Sequence, residues 1–271
     1  MRAALRLPAL LSAVLSAPLL AMAPPEARPY ELPRSMVAGV EGPGGSYEVM
    51  IAWPEGEPPA AGWPVLYVLD GEDNFAITAL TARRLARAGA RSGVAAGIVV
   101  GIAAGPLPRR VRDYTPATPD WVIPRGRPAH GLATGGAEAF LDSVERQVMP
   151  LVHDGRWPID RTRETLVGHS FGGLLALHAA ATRPALFDGV VAVSPSLWFG
   201  DGLVEREVRR APIGPRILIS EGEGAALENG STLSRSRQRT RFLPLPGQSH
   251  GTTMLAATVP TITFAFGQVD R

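Results

Sequence analysis

Glu164-Thr165-Leu166-Val167-Gly168-His169-Ser170-Phe171-Gly172-Gly173-Leu174-Leu175-Ala176-Leu177 is the stretch on which the reading of this chain turns. It holds Gly168-His169-Ser170-Phe171-Gly172, a G-x-S-x-G pattern. Three fixed residues in five recur by chance, so the flanks carry the weight. Thr165 to Val167 is a short apolar run that reads as a buried strand. Phe171 to Thr182 is apolar-rich, stops before Pro184 and reads as a helix. Strand, sharp turn and helix are the setting of a nucleophile elbow, in which the turn holds a serine in a strained backbone conformation. Gly168 and Gly172 lack the Cβ atoms that would clash where strand and helix approach. An incidental serine in a Gly-rich turn is the plain alternative.

The elements on either side follow the same alternation. Ser35 to Val40 and Ser46 to Trp53 read as two strands joined across Glu41-Gly42-Pro43-Gly44-Gly45. Val65 to Leu69 reads as a buried strand of parallel type, and Phe75 to Ala90 as a helix. Ala95 to Ile102 is a further buried strand. Ala103 to Gly135 is a long connection with six prolines and the run Arg109-Arg110-Val111-Arg112-Asp113-Tyr114-Thr115-Pro116. Gly136 to His153 carries Phe140, Leu141, Val144, Val148 and Leu151 at helical spacing. After the elbow come strands at Val190 to Val193, Arg216 to Ser220 and Arg241 to Leu245. A short helix is expected over Val204 to Arg210. Thr252 to Phe266 reads as a helix broken at Pro260. The segment from Gly222 to Arg239 is short for a full crossover helix. This alternation predicts an α/β fold: a mostly parallel central sheet, helices on both faces and an antiparallel N-terminal strand pair. It shows neither internal repeats nor a second domain.

With 271 residues the chain is long enough for one large domain. Hydrophobic residues make up 45% and charged residues 19%, as in a globular protein and unlike a disordered one. The net charge of +2 gives no case for nucleic acid as a partner. All 27 basic residues are arginine, which reflects genome composition more than function. The chain has no cysteine, which excludes disulfides, thiolate chemistry and a cysteine-borne lipid anchor. Arg2 and Arg6, the apolar stretch Leu7 to Leu20 and Ala21-Met22-Ala23 form a secretory signal pattern. The expected division is therefore a signal peptide at 1–23, an extended proline-rich lead-in at 24–34 and one α/β domain at 35–271. Periplasmic or secreted localisation follows, without a stable membrane anchor once the signal is cut.

In a sheet of this type the triad partners follow in the order Ser, acid, His. Of five histidines, His130 and His153 precede Ser170, His169 is beside it, and His178 lies two turns into the elbow helix. His250, in Pro246-Gly247-Gln248-Ser249-His250-Gly251 after a strand, is the candidate general base. For the acid, Glu223 is the first choice and Glu221 the second, since both follow the strand Arg216 to Ser220. Either could instead be a solvated loop carboxylate. An oxyanion hole needs two backbone N–H groups. Phe171, directly after the nucleophile, would give one, and the loop around Gly71 and Glu72 the other. Asp70 reads as a turn residue of that loop. No metal-ligating or phosphate-cradling motif stands in the sequence, so no metal and no cofactor is expected.

Six segments together resemble a known family. They are Val65 to Gly71, Arg110 to Pro116, Gly135 to Leu141, Gly168 to Leu174, Ser194-Pro195-Ser196-Leu197-Trp198 and Pro246 to Gly251. The chain is similar to the esterase family that includes esterase D and the enterobactin esterases, within the α/β-hydrolases. The likeness is nearest to periplasmic trilactone hydrolases of catecholate siderophores and covers roughly residues 35 to 268. It implies an α/β-hydrolase fold and cofactor-free carboxylic-ester hydrolysis, with Ser170 as nucleophile and His250 as base. It also implies that Arg110, with Arg112 second, lies near the active site, and that Trp198 contributes to substrate binding. Some relatives work with a Ser-His dyad, so the acid is in question. The expected function is a serine esterase acting on a small-molecule ester of the siderophore type through an acyl-enzyme. The alternatives are an acyltransferase of the same fold and a non-catalytic binding protein on a hydrolase scaffold. The sequence is silent on oligomeric state.

Overall fold

The computed structural model describes residues 27–223, 226–235 and 239–267. The expected signal peptide lies outside the described residues. Residues 27–31 are exposed and have no regular structure. From Leu32 onward the chain forms a single compact unit.

Eight strands form one sheet in the order β1-β2-β4-β3-β5-β6-β7-β8. β1 (Ser35–Gly42) and β2 (Gly45–Ala52) form the expected antiparallel hairpin, and β2 runs antiparallel to β4 (Ile98–Ile102). From β4 onward all pairings are parallel, through β3 (Trp63–Leu69), β5 (Ile159–His169), β6 (Gly189–Val193), β7 (Arg216–Glu221) and β8 (Thr240–Pro244). The central strands are apolar on both faces because both faces are covered. In β3, Val65, Tyr67 and Leu69 enter one core, and Leu66 and Val68 enter the other. Alternation of side chains along a strand divides the residues this way.

The helices fill in around the sheet. α1 (Gly71–Ala88) and α8 (Thr253–Phe266) pack over one core with Phe75, Ala79, Met254 and Phe266. The other core takes α3 (Ala137–Ser143), α4 (Met149–Val152), α5 (Phe171–Thr182) and α6 (Leu203–Arg210). A π-helical turn, Val144–Val148, joins α3 to α4, so the expected helix over 136–153 is present with one widened turn. α7 (Ala226–Arg235) packs on β7 and β8, so a crossover helix does fit in this short segment.

Three expectations are corrected. α1 begins at Gly71, four residues before the expected start, with Asp70 as its N-cap and Glu72 and Asp73 in its first turn. Acidic residues there favour a helix N-terminus as readily as a turn. The arginine run is helical, not an extended loop. It forms α2 (Leu107–Asp113), with Pro106 at its N-cap and Pro108 in its first turn, where the missing N–H of proline costs nothing. α8 continues through Pro260 without ending there.

Candidate active site

Val68 of β3 pairs with Val167 of β5, so the chain leaves these neighbouring strands side by side. Ser170 follows β5 directly. Its backbone sits at φ 59 and ψ −116, a region that a non-glycine residue enters only when the surroundings enforce it. Those surroundings are visible. Ser170 N–H donates to Val193 O at 3.0 Å, and Ser170 O accepts from Leu174 N at 2.9 Å and Ser196 N at 3.1 Å. A Cβ at Gly168 would strike the Gly172 backbone, which is why the turn needs glycine there. The Ser170 hydroxyl lies 3.3 Å from Ser196 Oγ.

Two helix N-termini meet at this point. The N–H of Phe171 opens α5, and those of Gly71 and Glu72 open α1. First-turn N–H groups have no partner within their own helix. Asp73 and Asn74 turn their N–H groups back to Asp70 O, at 3.1 and 3.0 Å. The Glu72 carboxylate accepts from Ala104 N and Gly105 N, each at 2.9 Å, and ties α1 to the segment after β4.

Arg110 is drawn into the same corner. Its Nε and Nη2 bind Asp70 Oδ1 and Oδ2 at 2.5 and 2.8 Å, and Nη2 also donates to His169 O at 3.2 Å. The guanidinium stands 5.2 Å from the Tyr114 ring centroid, and the Tyr114 hydroxyl accepts from Asp70 N–H at 3.2 Å. Two of the three guanidinium nitrogens are thus engaged, and among the described residues Nη1 has no hydrogen bond. A cavity of about 470 Å³ opens here, with Asp70, Arg110, His169, Gly251, Met254 and Leu255 in its lining. A larger one, about 920 Å³, lies at the opposite end of β5 around His153, Glu164 and Arg183.

His250 sits in the turn between β8 and α8, its ring centroid 4.7 Å from that of His169. Partial burial and the Arg110 cation both hold its imidazole below the usual range. Among the described residues the His250 ring makes no hydrogen bond, to Ser170 or to a carboxylate. In sites without substrate such bonds are often long. Neither candidate acid is brought to the ring. Glu223 is exposed and accepts from Gly247 N at 2.8 Å, so it braces the loop that carries His250. Glu221 is fully buried at the end of β7 beside Gly230 of α7, and burial pushes its carboxyl up to about 7.

On the other side of Ser170 lies an aromatic shelf. Phe171, Trp198, Phe199 and Trp121 pack edge to face or tilted, at centroid distances of 4.8–6.4 Å. Arg127 stands 4.9 Å from the Trp198 centroid and has no ion pair among the described residues. Trp121 and Arg127 belong to the long connection, where sequence pattern gave no sign of them. Their nearness to Trp198 is purely tertiary.

Residues 41–241 match the model of the Esterase family, described as "Putative esterase". The chain belongs to this esterase family. Its sheet order and antiparallel start are those of an α/β-hydrolase, and the resemblance of its motifs holds. The ferri-bacillibactin esterase BesA of Bacillus subtilis is 35% identical over 251 residues, covering 81% of this chain and 84% of BesA. The siderophore triacetylfusarinine C esterase of Aspergillus fumigatus is 36% identical over 192 residues, covering 67% of this chain. That match spans 62% of the fungal protein, less than two thirds of its length. Among solved structures, the siderophore hydrolase EstB of Aspergillus nidulans superposes with a TM-score of 0.73 at 26% identity, over 90% of this chain and 100% of EstB.

Proposed function

We propose that this esterase-family chain is a serine hydrolase that cleaves carboxylic esters of the siderophore type. The observation that carries the reading is Ser170, held in a strained turn at the carboxyl edge of the sheet. Two helix N-termini and the His250 loop converge on it. Ser170 Oγ attacks the ester carbonyl carbon while the neutral His250 imidazole takes its proton. The N–H groups of Phe171 and of Gly71 or Glu72 receive the developing oxyanion. Collapse breaks the carbon–oxygen bond of the ester, and the proton passes from His250 to the leaving alcohol. Water, deprotonated by His250, then releases the acid and restores the Ser170 hydroxyl.

The neighbouring surfaces suit an oxygen-rich, partly aromatic substrate. Trp198 and Trp121 offer flat apolar faces, and Arg127 and the open edge of Arg110 offer cations. The names of the relatives point to the same class. Export through residues 1–23, with a mature start between Met22 and Arg28, is part of the proposal. Mass spectrometry of the mature chain checks it, and a cytoplasmic protein that retains Met1 would refute it.

The decisive experiment is Ser170→Ala with a fluorophosphonate probe. Ester hydrolysis should fall on the order of 10⁴-fold or more, because the nucleophile acts as part of a unit. Labelling of the wild type should disappear. A folded Ser170→Ala protein with activity within about tenfold of wild type would reject Ser170 as nucleophile. An alcohol acceptor added to the wild-type assay separates hydrolysis from acyl transfer by the product formed.

A further inference from the structure

Among the described residues no carboxylate meets the His250 ring. Its backbone is gripped instead. His169 Nε2 donates to His250 O at 2.9 Å, and Thr253 Oγ1 donates to the same oxygen at 2.9 Å. Thr253 is fully buried, and its hydroxyl accepts from Ser194 Oγ at 3.0 Å. Ser194 sits at φ 43, immediately after β6, with its N–H on Ser220 O at 2.7 Å. The ends of β5 and β6 are thereby joined through side chains to one carbonyl in the turn before α8, and the Ser194 backbone ties in the end of β7.

The electrostatics agree with this geometry. Burial first, then His250 and Arg110, lower the His169 imidazole to about 4, although its bond to the His250 carbonyl opposes the shift. At neutral pH His169 is uncharged, so the single ring proton must sit on Nε2, the atom facing the carbonyl.

We infer that His169 and Thr253 form a backbone clamp that positions His250 for proton transfer, in the place where a triad carboxylate would otherwise orient the ring. His169 is a positioning residue, acting through the His250 backbone. The inference rests on the esterase reading and deepens it. It also assigns a task to the residue before the nucleophile, which sequence order alone sets aside.

The test measures 4-nitrophenyl butyrate hydrolysis and the rate of fluorophosphonate labelling in the full chain. His169→Leu should lower kcat about 10–100-fold with KM almost unchanged, the cost of misplacing a catalytic group by roughly an ångström. The labelling rate should fall in parallel. His169→Gln, whose terminal amide nitrogen reaches the place of Nε2, should recover most of the loss. His169→Asn, which is too short, should not. Thr253→Val should cost several-fold and add little to His169→Leu, because both act on one carbonyl. If His169→Leu does not fold, the Gln and Asn variants decide the matter. Equal kcat in those two, or a folded His169→Leu with wild-type kcat, overturns the clamp. A wild type that neither hydrolyses the ester nor takes the probe defeats the esterase reading itself, which is a separate outcome.

Discussion

Arg109, Arg110 and Arg112 looked alike in sequence and do three different things. On a helix, successive residues turn through about 100°, so neighbours face different directions. Arg109 donates to Ala104 O and Ser46 O and covers the Tyr47 ring. Arg112 pairs with Asp113. Only Arg110 turns to the site, as the resemblance implied, and most of its fork is spent on Asp70. Arg110→Ala should cost about 1–3 kcal/mol in kcat/KM, as for a charged hydrogen bond lost from a partly buried site. Its sharper signature is in pH. The Arg110 cation disfavours the His250 imidazolium. Removing it makes that imidazolium easier to form. The acid limb of the kcat/KM profile should therefore move to higher pH. Arg109→Ala should leave that limb in place, and a pH titration of both variants checks the contrast.

The loop after β8 shows how one element positions a residue for another. Leu245 N–H donates to Glu221 O, Glu223 N–H to Gln248 O, and Glu223 accepts from Gly247 N–H. A Cβ on Gly222 would strike the Gln248 carbonyl, so the close seating of this loop on the end of β7 requires glycine. The two candidate acids serve this seating in different ways, Glu223 by bracing the loop and Glu221 by filling the space under α7. Burial raises Glu221 to about 7, and the Gly230 N–H, which favours the charged form, does not offset it. A carboxyl raised in the folded state is more protonated there than in the unfolded chain, so stability falls as pH rises from about 4.5 to about 7. Glu221→Gln should remove that slope and stabilise the fold by about 1–3 kcal/mol at pH 8, read as a higher Tm. Activity should stay within about threefold. A large loss of kcat, of the 10⁴-fold size seen when a triad acid is lost, would make Glu221 the acid after all.

Across the molecule, His178 joins three helices. It leaves α5 as a buried side chain and meets Glu207 of α6 at 2.7 Å and Glu138 of α3 at 2.8 Å. Burial lowers its pKa, but the two carboxylates outweigh burial and hold the imidazole above its usual range. Here the folded state binds the proton more tightly than the unfolded chain does. The contribution is complete below about pH 6.5 and is lost as pH rises through the raised value. Tm should therefore decline as pH rises above about 6.5, and His178→Gln should flatten that decline. A wild-type Tm that does not change over that range would show that the bridge carries no net charge-dependent stability.

The sequence by itself determined the fold class, the elbow and the order of strands along the chain. Those features are local: apolar runs, glycines at a forced approach, and a serine between strand and helix. It also placed Ser170 and His250 as candidates, because chain order in such a sheet limits where a nucleophile and base can stand. It could not read α2, which is too short for periodicity and carries prolines that look like loop signals. Nor could it give the Asp70–Arg110 pair, the seating of Glu221 and Glu223 away from the His250 ring, or the approach of Arg127 to Trp198. Each joins residues from strands and helices distant in sequence, so each depends on sheet register and helix packing. The grip of His169 on the His250 carbonyl is of the same kind. Adjacent side chains in a strand leave on opposite sides, so the sequence can say where His169 does not point, and only the packed turn before α8 supplies what it meets.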